Sequence, residues 1–164
     1  MTNHLKIDIS GHPFLIGMSE HHIRLLTDYA MRAQFAADQI IFREGETADR
    51  FYLIEQGEVV LEAAGTGDQQ IVIDTVGDGG LLGRSWLVPP YVWHFTARAT
   101  KATSAIFFYG AILREYCEKD QTLGFEIFKR MAESNDLSTA IRRARFLKAY
   151  SESDTSGSKG LEAK

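Results

Sequence analysis

The chain predicts a mainly β domain, a double-stranded β-helix or jelly roll with flanking helices. Three observations carry this. Between Gln34 and Tyr109, short runs of β-formers recur with Gly and Asp between them. On either side of that stretch the hydrophobic period is helical. The 164 residues are 45% hydrophobic, 11% aromatic and 24% charged, the profile of one globular domain whose core needs no disulfide or metal to hold it together.

The elements follow in order. Ser19 is an N-cap, and Ile23, Leu26 and Ala30, widened by Leu25 and Tyr29, give a helix over 19–30. Strand runs follow at 39–42, 51–54, 58–61, 70–73, 95–99 and 104–108. Gly65-Thr-Gly-Asp68 supplies residues that tolerate positive φ, so it reads as a hairpin turn. Helical spacing returns over Ala111–Glu118 and then from about Gln121 to Tyr150. One domain is expected over 12–150, with the β-roll at about 34–109 and the helices at about 111–150; the polar tail 151–164 is expected to be disordered.

Charge and composition exclude several function classes. A net charge of −4 argues against a protein that coats nucleic acid or anionic lipid. No apolar signal run opens the chain and no stretch approaches ~20 apolar residues, so a cytoplasmic location without membrane contact is expected. Cys117 is the single cysteine and makes no internal bridge. Gly77-Asp-Gly-Gly-Leu-Leu82 fails as a dinucleotide fingerprint because Leu82 occupies the third glycine position. Gly83-Arg-Ser-Trp-Leu87 fails as a nucleophile elbow at Leu87, and no phosphate-loop Lys motif exists. Basic residues Arg142, Arg143, Arg145 and Lys148 are read as offsetting the negative end of a long helix rather than contacting nucleic acid.

The jelly roll raises a metal-dependent cupin-like enzyme as a rival, but the histidines argue against it. His21 and His22 are adjacent on the first helix, diverge by about 100° and are not expected to converge on one ion. His4, His12 and His94 read as surface or hydrogen-bonded structural histidines. No catalytic residue, metal or cofactor is expected.

His12-Pro-Phe-Leu15, Met18 to Leu26, and Gln39 to Val59 together carry a pattern. Phe42-Arg-Glu-Gly-Glu-Thr-Ala-Asp49, a strand and then Gly57 resembles the opening of the cyclic-nucleotide-binding domains, a family that includes the cyclic-AMP receptor and anaerobic-regulator transcription factors and the kinase regulatory subunits. Gly45 and Gly57 make the tight turns between strands. The resemblance covers residues 12 to 150. It implies a helix, an eight-stranded β-roll, a phosphate-binding cassette and a helical hairpin. It also implies that a Gly-Glu pair opens a short cassette helix, that the Glu binds the ribose 2′-hydroxyl, and that an Arg nine residues later pairs with the cyclic phosphate.

The chain departs from that pattern at both positions. Gly79-Gly-Leu-Leu-Gly-Arg84 keeps Gly83 but puts Arg84 where the carboxylate stands, and an ungapped count of nine reaches Trp93. Indole forms no bidentate ion pair with phosphate. Strand alternation puts Trp93, Phe95, Ala97 and Ala99 on one face and points Arg98 away with His94 and Thr96. The candidate ligand cassette is therefore Gly83, Arg84, Ser85, Trp86, Tyr91, Trp93 and Phe95, either an apolar pocket or a filled aromatic core. A small anion would be received by Arg84 and the backbone N–H groups of the short helix after Gly83.

These features suggest a non-enzymatic regulatory or sensor module that does not bind cyclic AMP or cyclic GMP in the usual way. An interaction or scaffold protein with a closed pocket is the alternative. A helix over 121–150 would span ~45 Å, more than the β-roll covers, so a homodimer is expected through Leu137, Ile141, Ala144 and Leu147. Only fourteen residues, most of them polar, follow Tyr150, so no sequence-specific DNA binding by this chain alone is expected.

Overall fold

Eight strands and three helices follow one another in the computed structural model, which describes residues 7–134. Helix α1 is Glu20–Tyr29, capped by Ser19, whose side chain accepts from His22 N at 3.3 Å. The strands are β1 Met31–Phe35, β2 Ile40–Phe42, β3 Arg50–Gln56, β4 Val59–Ala64, β5 Gln70–Val76, β6 Leu81–Leu82, β7 Thr96–Ala99 and β8 Thr103–Tyr109. Helix α2 is Gly110–Lys119, and residues 121–134 form α3. The continuation of α3 expected to Tyr150, the tail 151–164 and the four candidate dimer residues Leu137, Ile141, Ala144 and Leu147 lie outside the described residues.

Two four-stranded antiparallel sheets pack face to face, in the orders β1-β8-β3-β6 and β2-β7-β4-β5. This is the jelly roll that the strand pattern predicts. β4 and β5 form the hairpin around Gly65–Asp68, with Gly65 N donating to Gln69 O at 2.7 Å. β1 is absent from the strand runs read above although Met31-Arg-Ala-Gln-Phe35 alternates apolar and polar residues, because it is a short, largely exposed edge strand that directly follows a helix. Its pairing with β8, from Met31↔Phe107 to Phe35↔Thr103, decides it.

The sheet order explains why β3 and β8 read as continuous apolar runs. Both lie in the interior of their sheet and are covered on two sides. Tyr52, Ile54, Ala105 and Phe107 point between the sheets, into a core shared with Phe42, Leu61 and Trp93. Phe51, Leu53, Ile106 and Phe108 point the other way, into a second core roofed by the helices through Leu26, Leu113, Leu123 and Ile127. The helices are thus packed on one face of the roll.

The segment before α1 is tied to this frame by His12. Its Nδ1 accepts from Phe14 N at 3.1 Å and its Nε2 donates to Ile54 O at 2.9 Å, so both ring nitrogens serve the backbone. Burial holds this imidazole below the ordinary histidine range, which keeps it neutral and suits it to that role. It is a hydrogen-bonded structural histidine, one of the two roles expected for it from the sequence.

Candidate functional site

A cleft of about 610 Å³ opens between the β5–β6 connection and α3. Asp74 to Leu81 form one wall, Pro13 and Phe14 an edge, and Arg130, Glu133 and Ser134 the helix side, with Arg84 at the junction. Backbone turns shape the wall: Gly79 N donates to Ile54 O at 2.9 Å and Gly80 N to Gly77 O at 3.0 Å. Two of its acidic groups serve the backbone, since Asp78 Oδ1 accepts from Gly57 N at 2.7 Å and Asp74 Oδ1 from Thr75 N at 2.8 Å. Arg130 fastens α3 to the segment before α1, donating through Nη1 to Phe14 O and Ile16 O at 2.8 Å each and through Nε to Glu126 Oε2 at 3.2 Å. Arg84 Nη2 reaches to 3.5 Å of Ser134 Oγ. Three carboxylates and two guanidiniums line the cleft, a mixed rather than cationic surface.

Of the seven candidate cassette residues, Arg84 is the one that lines this cleft. Trp93 is 4% exposed and stacks on Phe42 with ring centroids 3.8 Å apart and planes 10° from parallel. A Cβ on Gly83 would stand 2.7 Å from the Trp93 ring, so the absence of a side chain at Gly83 is what lets the indole lie there. Trp86 is fully buried on the other side of the β3 sheet, 5.2 Å from Phe51, in the core under the helices. Tyr91 lies under the Arg114 guanidinium at 3.9 Å from its ring centroid, and Arg114 also donates to Trp86 O. Phe95 is half-buried against the inter-sheet core, and Gly83 and Ser85 are half-buried in the connection. The aromatic residues therefore divide between two cores and an α2 contact instead of converging on one pocket.

The short helix expected after Gly83 is not formed. Residues 83–90 make turns and bends, with Leu87 N donating to Arg84 O at 3.2 Å. The physical reason is local: Trp86 is drawn into the core, and Pro89-Pro90 removes the backbone donors that a further turn would use. The row of helix N–H groups that would receive an anion is missing with it. Arg98 does point away, bonded to Glu62 at 2.7 Å and Asp38 at 3.1 Å.

The histidine pair requires a correction. His21 and His22 do not diverge beyond reach of one ion: their ring centroids are 5.5 Å apart, and one ligand atom from each lies within 4.8 Å of the other and of Asp120. The 100° between adjacent Cβ directions is offset by the length of the imidazoles and by an acidic partner that sequence separation hid, 98 residues from His22.

The profile of the cyclic nucleotide-binding domain matches residues 32–120, more than half of the chain. Among solved structures, a protein of Geobacter metallireducens provisionally named as cyclic nucleotide-binding is similar at 27% identity, with 75% of this chain and 89% of that one covered and a TM-score of 0.68. A cyclic nucleotide-binding domain of Methylobacillus flagellatus follows at 20% identity, 80% and 74% coverage and a TM-score of 0.71. The regulatory subunit of a cAMP-independent protein kinase A from Trypanosoma brucei, in a triple mutant bound to cAMP, shares the fold at 17% identity, 79% and 45% coverage and a TM-score of 0.65. No curated protein matches the sequence. Among the described residues, no helix is long and apolar enough to cross a membrane.

Proposed function

Since this chain belongs to the cyclic nucleotide-binding domain family, we propose that it is a non-enzymatic regulatory module whose cleft takes a small polar ligand other than a cyclic nucleotide. The observation that supports this most is the place of Trp93. Where the family resemblance implies an arginine for the cyclic phosphate, an indole is stacked on Phe42 and occupies the space beside Gly83. Arg84, in place of the ribose-binding carboxylate, faces the cleft and α3. A ligand there would touch both the β5–β6 wall and the helix, so its binding would bias the position of α3. The closed indole site favours a second reading, an interaction protein with no ligand; a thermal-shift screen separates the two, because only a ligand-binding module is stabilised in a concentration-dependent way.

Calorimetry with cyclic AMP and cyclic GMP tests the exclusion. Losing a charged partner to phosphate costs about 1.5–3 kcal/mol and losing the ribose acceptor a similar amount, so affinity falls by at least about two orders of magnitude. No saturable heat is expected at micromolar concentration. Micromolar binding abolished by Arg84→Ala would refute the proposal and establish an inverted arrangement in which Arg84 takes the phosphate.

The same reading includes a two-fold homodimer through α3 and the apolar residues Leu137, Ile141, Ala144 and Leu147 that follow it in sequence. Phe125 and Phe128, three residues apart on α3, are 64% and 62% exposed, which leaves apolar surface for a second copy to cover. Sedimentation is expected to show a dimer at tens of micromolar that Ile141→Glu converts to monomer. A monomeric wild type, or a dimer indifferent to that substitution, contradicts the proposed contact.

A further inference from the structure

Three groups meet where α1 lies against the junction of α2 and α3. His22 is buried, and its Nε2 is 3.0 Å from Asp120 Oδ2. The other carboxylate oxygen, Oδ1, accepts from Leu123 N at 3.1 Å and so caps α3. That backbone bond is the main reason the Asp120 carboxyl sits below the usual aspartate range, which keeps it anionic. His21 is exposed beside them. One ligand atom from each of the three lies within 4.8 Å of the other two.

We propose that His21, His22 and Asp120 form a binding site for a divalent transition-metal ion of the zinc, cobalt or nickel class. Two imidazoles and one carboxylate, with water completing the shell, are donors that suit these ions; calcium and magnesium require more oxygens than the group offers. At Zn–N and Zn–O bonds of about 2.0–2.2 Å, tetrahedral ligands stand about 3.3 Å apart. The His22–Asp120 pair is already within a few tenths of an ångström of that spacing. His21 has to close by no more than roughly 1.5 Å, which rotation of an exposed side chain provides.

Coordination uses the Nε2 lone pair of His22. The proton on that nitrogen is displaced by the ion, and the bound ring carries its proton on Nδ1. Cys117 is not a donor in this set, because its sulfur is not among the ligand atoms that gather within 4.8 Å of one another. The ion would join α1 to the hinge from which α3 departs, stiffening the frame that carries one side of the cleft. This is independent of what the cleft binds.

The experiment uses the untagged full chain, titrated with Zn²⁺ and with Co²⁺, read by calorimetry, thermal unfolding and the visible ligand-field bands of cobalt. Expected are one ion per chain, a dissociation constant below on the order of 100 μM, a rising unfolding temperature and the bands of four-coordinate cobalt. His21→Ala removes an exposed ligand without disturbing the core, and Asp120→Asn keeps the oxygen that caps α3 while removing the charge. Each is expected to weaken binding at least tenfold, since even the loss of a group behind a metal ligand costs about 10–100-fold. No saturable one-to-one binding, or binding that both variants retain at wild-type strength, overturns the proposal.

Discussion

Trp93→Ala is expected to lower stability by about 3–5 kcal/mol, the cost of removing a large aromatic side chain from a core that does not collapse around the gap. The indole is packed on Phe42 at 3.8 Å and lies over Gly83, within a core built from both sheets. Its neighbours are held by strand pairing and have little freedom to close the space. Urea unfolding monitored by circular dichroism gives the value directly. A loss below about 1 kcal/mol, the scale of a surface substitution, would show that the indole lines an open pocket, and the case for its blocking role would fall with it.

Gly57→Ala is expected to cost at least about 3 kcal/mol, because two penalties combine there. The backbone has φ +127°, a region that side chains rarely occupy, and a Cβ would stand 2.3 Å from Thr103 Oγ1 and 2.6 Å from Thr103 Cα. The second contact is with backbone inside the β-roll, at the start of β8, and no rotamer change relieves it. Gly45 provides the comparison: φ is +89° but nothing lies within 4 Å of an added Cβ, so Gly45→Ala carries the strain alone, about 1–3 kcal/mol. Equal losses at the two glycines in the same unfolding assay would show that the close approach to Thr103 adds nothing.

Features that depend on near neighbours are legible in the order of the residues. Ser19 caps α1 because its hydroxyl meets an N–H three residues on, and Gly65–Asp68 turns the β4–β5 hairpin because those residues accept its backbone angles. The alternation at Ala97 and Ala99 sets which side chains of β7 face inward, since a strand repeats every two residues, while Trp93 and the half-buried Phe95, just before β7, pack on the same core. The motif from Phe42 to Gly57 identifies the fold family for the same reason: its glycines and strand are local requirements of the β-roll.

Where distant groups meet follows from packing. Whether Trp93 walled a pocket or filled one depended on Phe42, 51 positions earlier in the chain and on a neighbouring strand. Arg84 gained its place in a cleft only because α3 crosses the β5–β6 wall and brings Arg130 and Ser134 to it. The failure of a helix to form after Gly83 followed from burial of Trp86, which outweighed a helical turn worth little on its own. Asp120 lies beside two histidines whose Cβ directions diverge on their own helix, with one ligand atom of each residue within 4.8 Å of the others. These outcomes rest on contacts between residues far apart in sequence, whose energies enter only when the sheets and helices close on each other, so no local pattern of residues encodes them.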